Sequence, residues 1–108
     1  GNEVGLVTSQ GWAKRVKAEE FPQQGRYGQG VISWKLKGED LIVVQLCGKL
    51  TDRAVCHFRK SASKVFMLTN AVERTRPANG QILFKLKPND ELIGFTTIDD
   101  FSLYWEKA

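Results

Sequence analysis

Apolar and polar positions alternate along most of this chain, in short runs separated by turn-forming residues. Between Ile32 and Lys37 the alternation is strict. Ile32, Trp34 and Leu36 fall on one side, Ser33, Lys35 and Lys37 on the other, which is the period of a half-buried strand. Similar runs predict strands over 4–8, 12–17, 53–59, 64–69, 81–87 and 92–97. Leu41 to Leu46 is a continuous apolar-rich run, the pattern of a strand buried on both faces. Turns are expected at Ser9-Gln10-Gly11, Lys37-Gly38-Glu39-Asp40, Lys60 to Ser63 and Pro88-Asn89-Asp90. Ala18 to Phe21 is the one stretch suited to a helical turn, and Pro22 would end it. No amphipathic helix is evident, so the fold class is all-β.

The pattern also repeats. Gly80-Gln81-Ile82-Leu83-Phe84-Lys85-Leu86-Lys87 mirrors Gly30-Val31-Ile32-Ser33-Trp34-Lys35-Leu36-Lys37 at a distance of fifty residues. Leu6-Val7-Thr8 lies fifty before Cys56-His57-Phe58, and Lys14 fifty before Lys64. Glu39-Asp40-Leu41-Ile42 matches Asp90-Glu91-Leu92-Ile93 at fifty-one. Such a period with short strands predicts two tandem propeller-like blades of four strands. The first unit is expected over about 4–52, the second over about 53–98, and the start of a third over 99–108. Two blades cannot close a ring, and repeat proteins need about three units for a continuous core. Part of a larger ring, or an open fragment, is therefore expected.

Composition narrows the function. The chain has 108 residues and a formal net charge of +4. No apolar run is long enough to span a bilayer as a helix, and the N-terminus lacks a charged-then-apolar leader, so a cytoplasmic location is expected. Cys47, Cys56 and the single His57 do not have metal-ligand spacing, and neither a metal nor another cofactor is expected. The charge is uneven: eight basic residues and one acid, Glu73, lie between Arg53 and Lys87. That bias favours a polyanionic partner. No catalytic triad spacing or phosphate-binding loop is present. The G-x-x-G-x-G within Gln24 to Gly30 precedes a strand rather than a helix, which removes a dinucleotide reading. No catalytic residue is assigned, and the chain is not expected to be an enzyme by itself.

Leu6-Val7-Thr8-Ser9-Gln10-Gly11-Trp12-Ala13-Lys14-Arg15, Phe21-Pro22 and Gln24-Gly25-Arg26-Tyr27-Gly28-Gln29-Gly30-Val31-Ile32 resemble repeats of the C-terminal domain of the bacterial DNA gyrase A subunit. The related subunit of topoisomerase IV is similar. The resemblance covers nearly the whole chain. It implies a β-pinwheel whose blades exchange strands and whose basic outer rim binds and bends duplex DNA. It further implies an accessory role in an ATP-dependent type II topoisomerase, with the rest of the A subunit and the B subunit as partners and the chemistry elsewhere. Gln24, Arg26, Gly28 and Gly30 match the family's glutamine, basic and glycine motif, while Gly25, Tyr27 and Gln29 depart from it.

Wrapping needs cations against phosphates and no base reading. The candidate DNA-binding residues are Lys14, Arg15, Lys17, Gln24, Arg26, Gly28, Gly30, Lys35, Arg59, Lys60, Lys64, Arg74, Arg76 and Lys85. Lys14 and Lys64, like Lys35 and Lys85, recur at equivalent points and would place charge at regular steps along a rim. Lys14-Arg15 and Arg26 are expected to point outward from a strand turn and a glycine loop. Lys35 and Lys85 are equally compatible with a merely solvated sheet face. Trp12, Trp34 and Phe84 are read as core, and Tyr27 as packing on its loop. Two other readings stand beside DNA wrapping: a propeller-type protein-interaction module, and a free-standing β domain that dimerises to cover its edges.

Overall fold

The computed structural model describes residues 2–21 and 34–98. The loop at Gln23 to Gly30 and the first part of the strand expected after it lie outside the described residues, as do 99–108. Among the described residues seven strands form: β1 (Glu3–Thr8), β2 (Trp12–Lys17), β3 (Ile42–Gly48), β4 (Arg53–Phe58), β5 (Lys64–Met67), β6 (Gln81–Ile82) and β7 (Leu92–Thr97). They build two antiparallel sheets, one ordered β3-β1-β2-β6 and the other β5-β4-β7.

The two sheets share one plan. In each, the first strand of the unit is central, with the hairpin partner on one side and the last strand on the other. The β1–β3 ladder is interrupted between Val7 and Thr8, and the β4–β7 ladder between His57 and Phe58, fifty residues on. A single 3-10 turn follows the second strand in both cases, Ala18–Glu20 and Leu68–Asn70. Ser9 N donates to Leu41 O at 2.7 Å, and Arg59 N to Glu91 O at 2.9 Å. Thr8 faces Ile42 and Phe58 faces Leu92, so the last strands correspond at fifty residues rather than the fifty-one that the acidic pairs suggest.

Burial departs from expectation where the neighbours differ. β1 is buried along its whole length, because it is central in its sheet and packs on both faces. Val4 and Leu6 join Val16, Phe21 and Trp34 in one cluster. Val7 joins Val44, Leu46, Phe58, Phe66, Leu68, Phe84 and Leu92 in the larger cluster between the sheets. Only one face of β3 is covered, so its apolar run is not buried on both faces: Val44 and Leu46 are buried, Gln45 and Cys47 exposed. The strand expected over 81–87 is only two residues long. After Ile82 the segment leaves the ladder, and the amides of Leu83 and Phe84 both donate to the single carbonyl of Gly11.

β6 belongs to the second unit by sequence but pairs with β2 of the first, with Trp12 opposite Ile82 and Ala13 opposite Gln81. Two glycines allow this approach. Gly11 has φ +89, where side chains are strained, and a methyl there would overlap the Phe84 carbonyl. A methyl on Gly80 would overlap the Ala13 carbonyl.

Candidate nucleic-acid interface

The basic residues separate into three groups. The first is internal. Lys14 has no exposed surface. Its ammonium donates to the carbonyls of Thr75 (3.2 Å), Arg76 and Ala78 (2.8 Å), and lies 4.8 Å from the Trp34 ring centre. Burial pushes its pKa down to about 8, opposed in part by the charge of Glu20. The expectation that a strand turn presents Lys14 outward is therefore corrected. The segment following the second 3-10 turn runs along β2, with Arg15 N donating to Val72 O (2.7 Å) and Arg74 N to Arg15 O (2.9 Å). That segment roofs Lys14 and turns it into a tie between the two units.

The second group is neutralised or engaged. Arg15 donates to Glu3 at 2.7 Å and Glu73 at 3.2 Å, with only 16% of its side chain exposed, so it too is not presented outward. Arg59 is paired with Glu91. Arg76 donates to the Glu20 carbonyl at 2.9 Å and lies 5.5 Å from the Phe21 ring centre. Arg74 donates to the Glu73 carbonyl at 3.0 Å. Three of the eight basic residues between Arg53 and Lys87, namely Arg59, Arg74 and Arg76, are thus spent on local structure.

The third group faces solvent: Lys17, Lys35, Lys60, Lys64 and Lys85, none in an ion pair with a described residue. Lys64 lies 5.8 Å from the Phe58 ring centre. The pairing of Lys14 with Lys64 fails as a repeated surface charge, since the first is buried and the second exposed. Lys35 and Lys85 behave differently. Residues 34–37 and 84–87 have the same burial sequence, with the aromatic residue buried, the first lysine exposed, the leucine half-buried and the second lysine exposed. Lys37 and Lys87 are the positions missed by the sequence selection, although they stand in the repeated heptapeptide. Gln24, Arg26, Gly28 and Gly30 lie outside the described residues.

Carboxylates beside these lysines point into the turns. Asp40 Oδ1 accepts from Ser9 Oγ (2.6 Å), Gln10 N (3.0 Å) and Leu41 N (2.9 Å). Asp90 accepts from Lys60 N, Ser61 Oγ and Glu91 N, and the Ser61 hydrogen bond leads in holding its pKa below the usual carboxylate value. Other chemistry is sparse. His57 bridges Ser63 Oγ (2.9 Å) and Thr96 Oγ1 (2.8 Å), two hydroxyls with no acid behind the ring. Among the described residues no group of His, Cys, Asp and Glu could hold a metal ion, and no helix is long and apolar enough to cross a membrane.

Two sheets of one plan, joined by an exchanged strand, define a propeller-type repeat protein. The chain belongs to the DNA gyrase C-terminal domain family, a β-propeller, whose model matches residues 3–44 and 64–99. The fold is also that of solved structures. The C-terminal domain of DNA topoisomerase IV aligns with a TM-score of 0.69 at 18% identity, covering 94% of this chain and 31% of that one. The E. coli ParC C-terminal domain aligns with a TM-score of 0.69 at 19% identity, covering 93% and 40%. A DNA gyrase A C-terminal domain aligns with a TM-score of 0.62 at 24% identity, covering 90% and 32%. This chain therefore spans between about a third and two-fifths of those domains. No curated protein matches it.

Proposed function

We infer that this chain binds duplex DNA and helps to bend it, as a non-catalytic portion of the C-terminal domain of a type II topoisomerase A subunit. On this reading it acts in the cytoplasm, on the nucleoid, alongside the remainder of the A subunit and the B subunit. The observation that carries the reading is the duplicated segment. Residues 34–37 and 84–87 each turn two lysines to solvent and one aromatic ring inward, at the same point of two like-built units. Equivalent charges on successive units suit a ligand that is itself periodic and polyanionic. Phosphate contact requires no base reading. Lys17, Lys60 and Lys64 add to the positive surface, whereas Lys14 is excluded from it.

Duplex affinity measured across a salt series tests this. Each phosphate neutralised contributes about 0.9 to the slope of log K against log salt. Replacing Lys35, Lys37, Lys85 and Lys87 together by Ala should weaken binding at low salt and flatten that slope, independently of DNA sequence. Absence of duplex binding at low salt, or an unchanged slope in the fourfold variant, would overturn the assignment.

A further inference from the structure

Trp12 and Ile82 are the two large apolar side chains that the strand exchange leaves facing solvent. They are direct partners across the β2–β6 pairing, so they stand side by side on one face. Trp12 is 36% exposed and Ile82 58% exposed. One comes from each unit, and the pair exists only because β6 crosses over. Each shares a hollow with the lysines of one repeat. Trp12 and Trp34 line a notch of about 60 Å³ together with Lys35 and Lys37. Ile82 lines a wider cleft of about 390 Å³ together with Lys85 and Lys87. The acids beside them, Asp40 and Asp90, are occupied by the hydroxyls and amides of their own turns. The result is an apolar ridge with a lysine pair in each adjoining hollow.

We propose that the Trp12–Ile82 ridge is a contact surface for duplex DNA, seated against the apolar edge of the deoxyribose backbone while Lys35, Lys37, Lys85 and Lys87 take the phosphates beside it. The inference rests on the DNA-binding reading above and adds to it an uncharged contact that lysine placement alone does not supply. Charge complementarity selects the occupant. An apolar protein partner would gain nothing from four unpaired lysines, whereas a sugar–phosphate backbone presents apolar edges and anions in alternation. An apolar contact removes water-exposed surface without releasing a counterion, so its signature differs from that of a lysine.

The experiment is duplex binding by this chain over a salt series, using Trp12→Ala, Ile82→Ala, Trp12→Phe and the fourfold lysine variant, with thermal melts to confirm folding. Trp12→Ala is expected to lower affinity by about tenfold at every salt concentration, and Ile82→Ala by about threefold, with the salt slope unchanged in both. Trp12→Phe keeps an aromatic ring and should bind nearly as wild type, while losing the DNA-induced change in tryptophan emission that Trp12 provides. If the lysine variant flattens the slope but Ile82→Ala and folded Trp12→Ala stay within twofold of wild type, the ridge is overturned and the DNA reading survives. If the wild-type chain does not bind duplex at all, both are overturned. If sedimentation shows self-association that Ile82→Ser abolishes, the ridge is a contact between copies and the proposal falls. Should Trp12→Ala fail to fold, Ile82→Ala and the Trp12→Phe emission decide alone.

Discussion

At the scale of single residues, Lys14 shows how burial changes the meaning of a charge. On the sequence it is one of a basic pair in a strand. In the fold its ammonium is enclosed by three carbonyls of another segment and an indole ring. Lys14→Met keeps the aliphatic stem and leaves those carbonyls without their donor. A loss of about 1–3 kcal/mol in unfolding free energy is expected, the cost of unsatisfied buried polar groups. The salt slope of DNA binding should not change, because the group reaches no phosphate. The lowered pKa has a definite sign. With about 8 in the folded state against 10.5 in the free side chain, the unfolded chain holds more protons between those values. The Lys14 contribution to stability therefore rises as pH increases from about 8 to 10.5 and is lost again as pH falls back through 8. Melting curves should show wild type gaining on Lys14→Met across that window. Cys56 runs the other way. Burial pushes its thiol from 9.0 up to about 12, so its stabilising contribution is complete below pH 9 and disappears as pH climbs toward 12. Cys56→Ala should remove that alkaline decline, read as a flatter dependence of melting temperature on pH.

At the scale of elements, the exchanged strand is the joint between the units. It is short, two residues of ladder, and is reinforced by the paired amides of Leu83 and Phe84 on Gly11 O and by the Lys14 tie. Backbone meets backbone at Gly11 and Gly80, so a side chain at either position forces the strands apart. Gly80→Ala should cost about 1–3 kcal/mol, as overpacking does, and Gly11→Ala at least as much because of its positive φ. Amide exchange localises the effect: Leu83 and Phe84 should lose protection while the β4–β5 hairpin keeps it. The turn carboxylates act at this scale as well. Asp90, held below its ordinary pKa, supports its turn above the unfolded value near 3.8 and stops doing so as pH falls through its lower folded value. Asp90→Asn should abolish that acid-side component of a melting-temperature profile.

At the scale of the whole molecule, the two units differ in what covers them. The outer edge of β2 carries β6, whereas β5 is an edge of its sheet among the described residues, with Val65 54% exposed. Unit one is completed by unit two, and unit two is not completed in the same way by anything described. Lys64 and Lys14 are thus the same position in two circumstances, one open and one roofed. An exposed Lys64 predicts a modest effect on DNA: Lys64→Ala should lower duplex affinity at low salt and reduce the salt slope by up to about 0.9, a result that Lys14→Met should not reproduce.

Much of this was legible in order along the chain. Period-two alternation and apolar runs marked most strands, although residues 34–37, within the run where alternation is strictest, form no strand. The fifty-residue repeat marked the duplicated plan, and the quoted motif residues pointed to the gyrase C-terminal family. The short-range signals succeed because strand alternation and turn chemistry are local properties of the backbone. The length of β6, the half-exposure of β3 and the register of the last strand were not legible, since each is set by a neighbour far away in sequence. The candidate site was legible only in part. Lys35 and Lys85 keep their exposure because alternation beside a buried ring leaves them nowhere else to go. The fates of Lys14, Arg15, Arg59 and Arg76 depended on tertiary structure alone. Whether a cation meets solvent, a carboxylate or a ring of carbonyls is decided by which distant segment folds over it, and no local pattern records that.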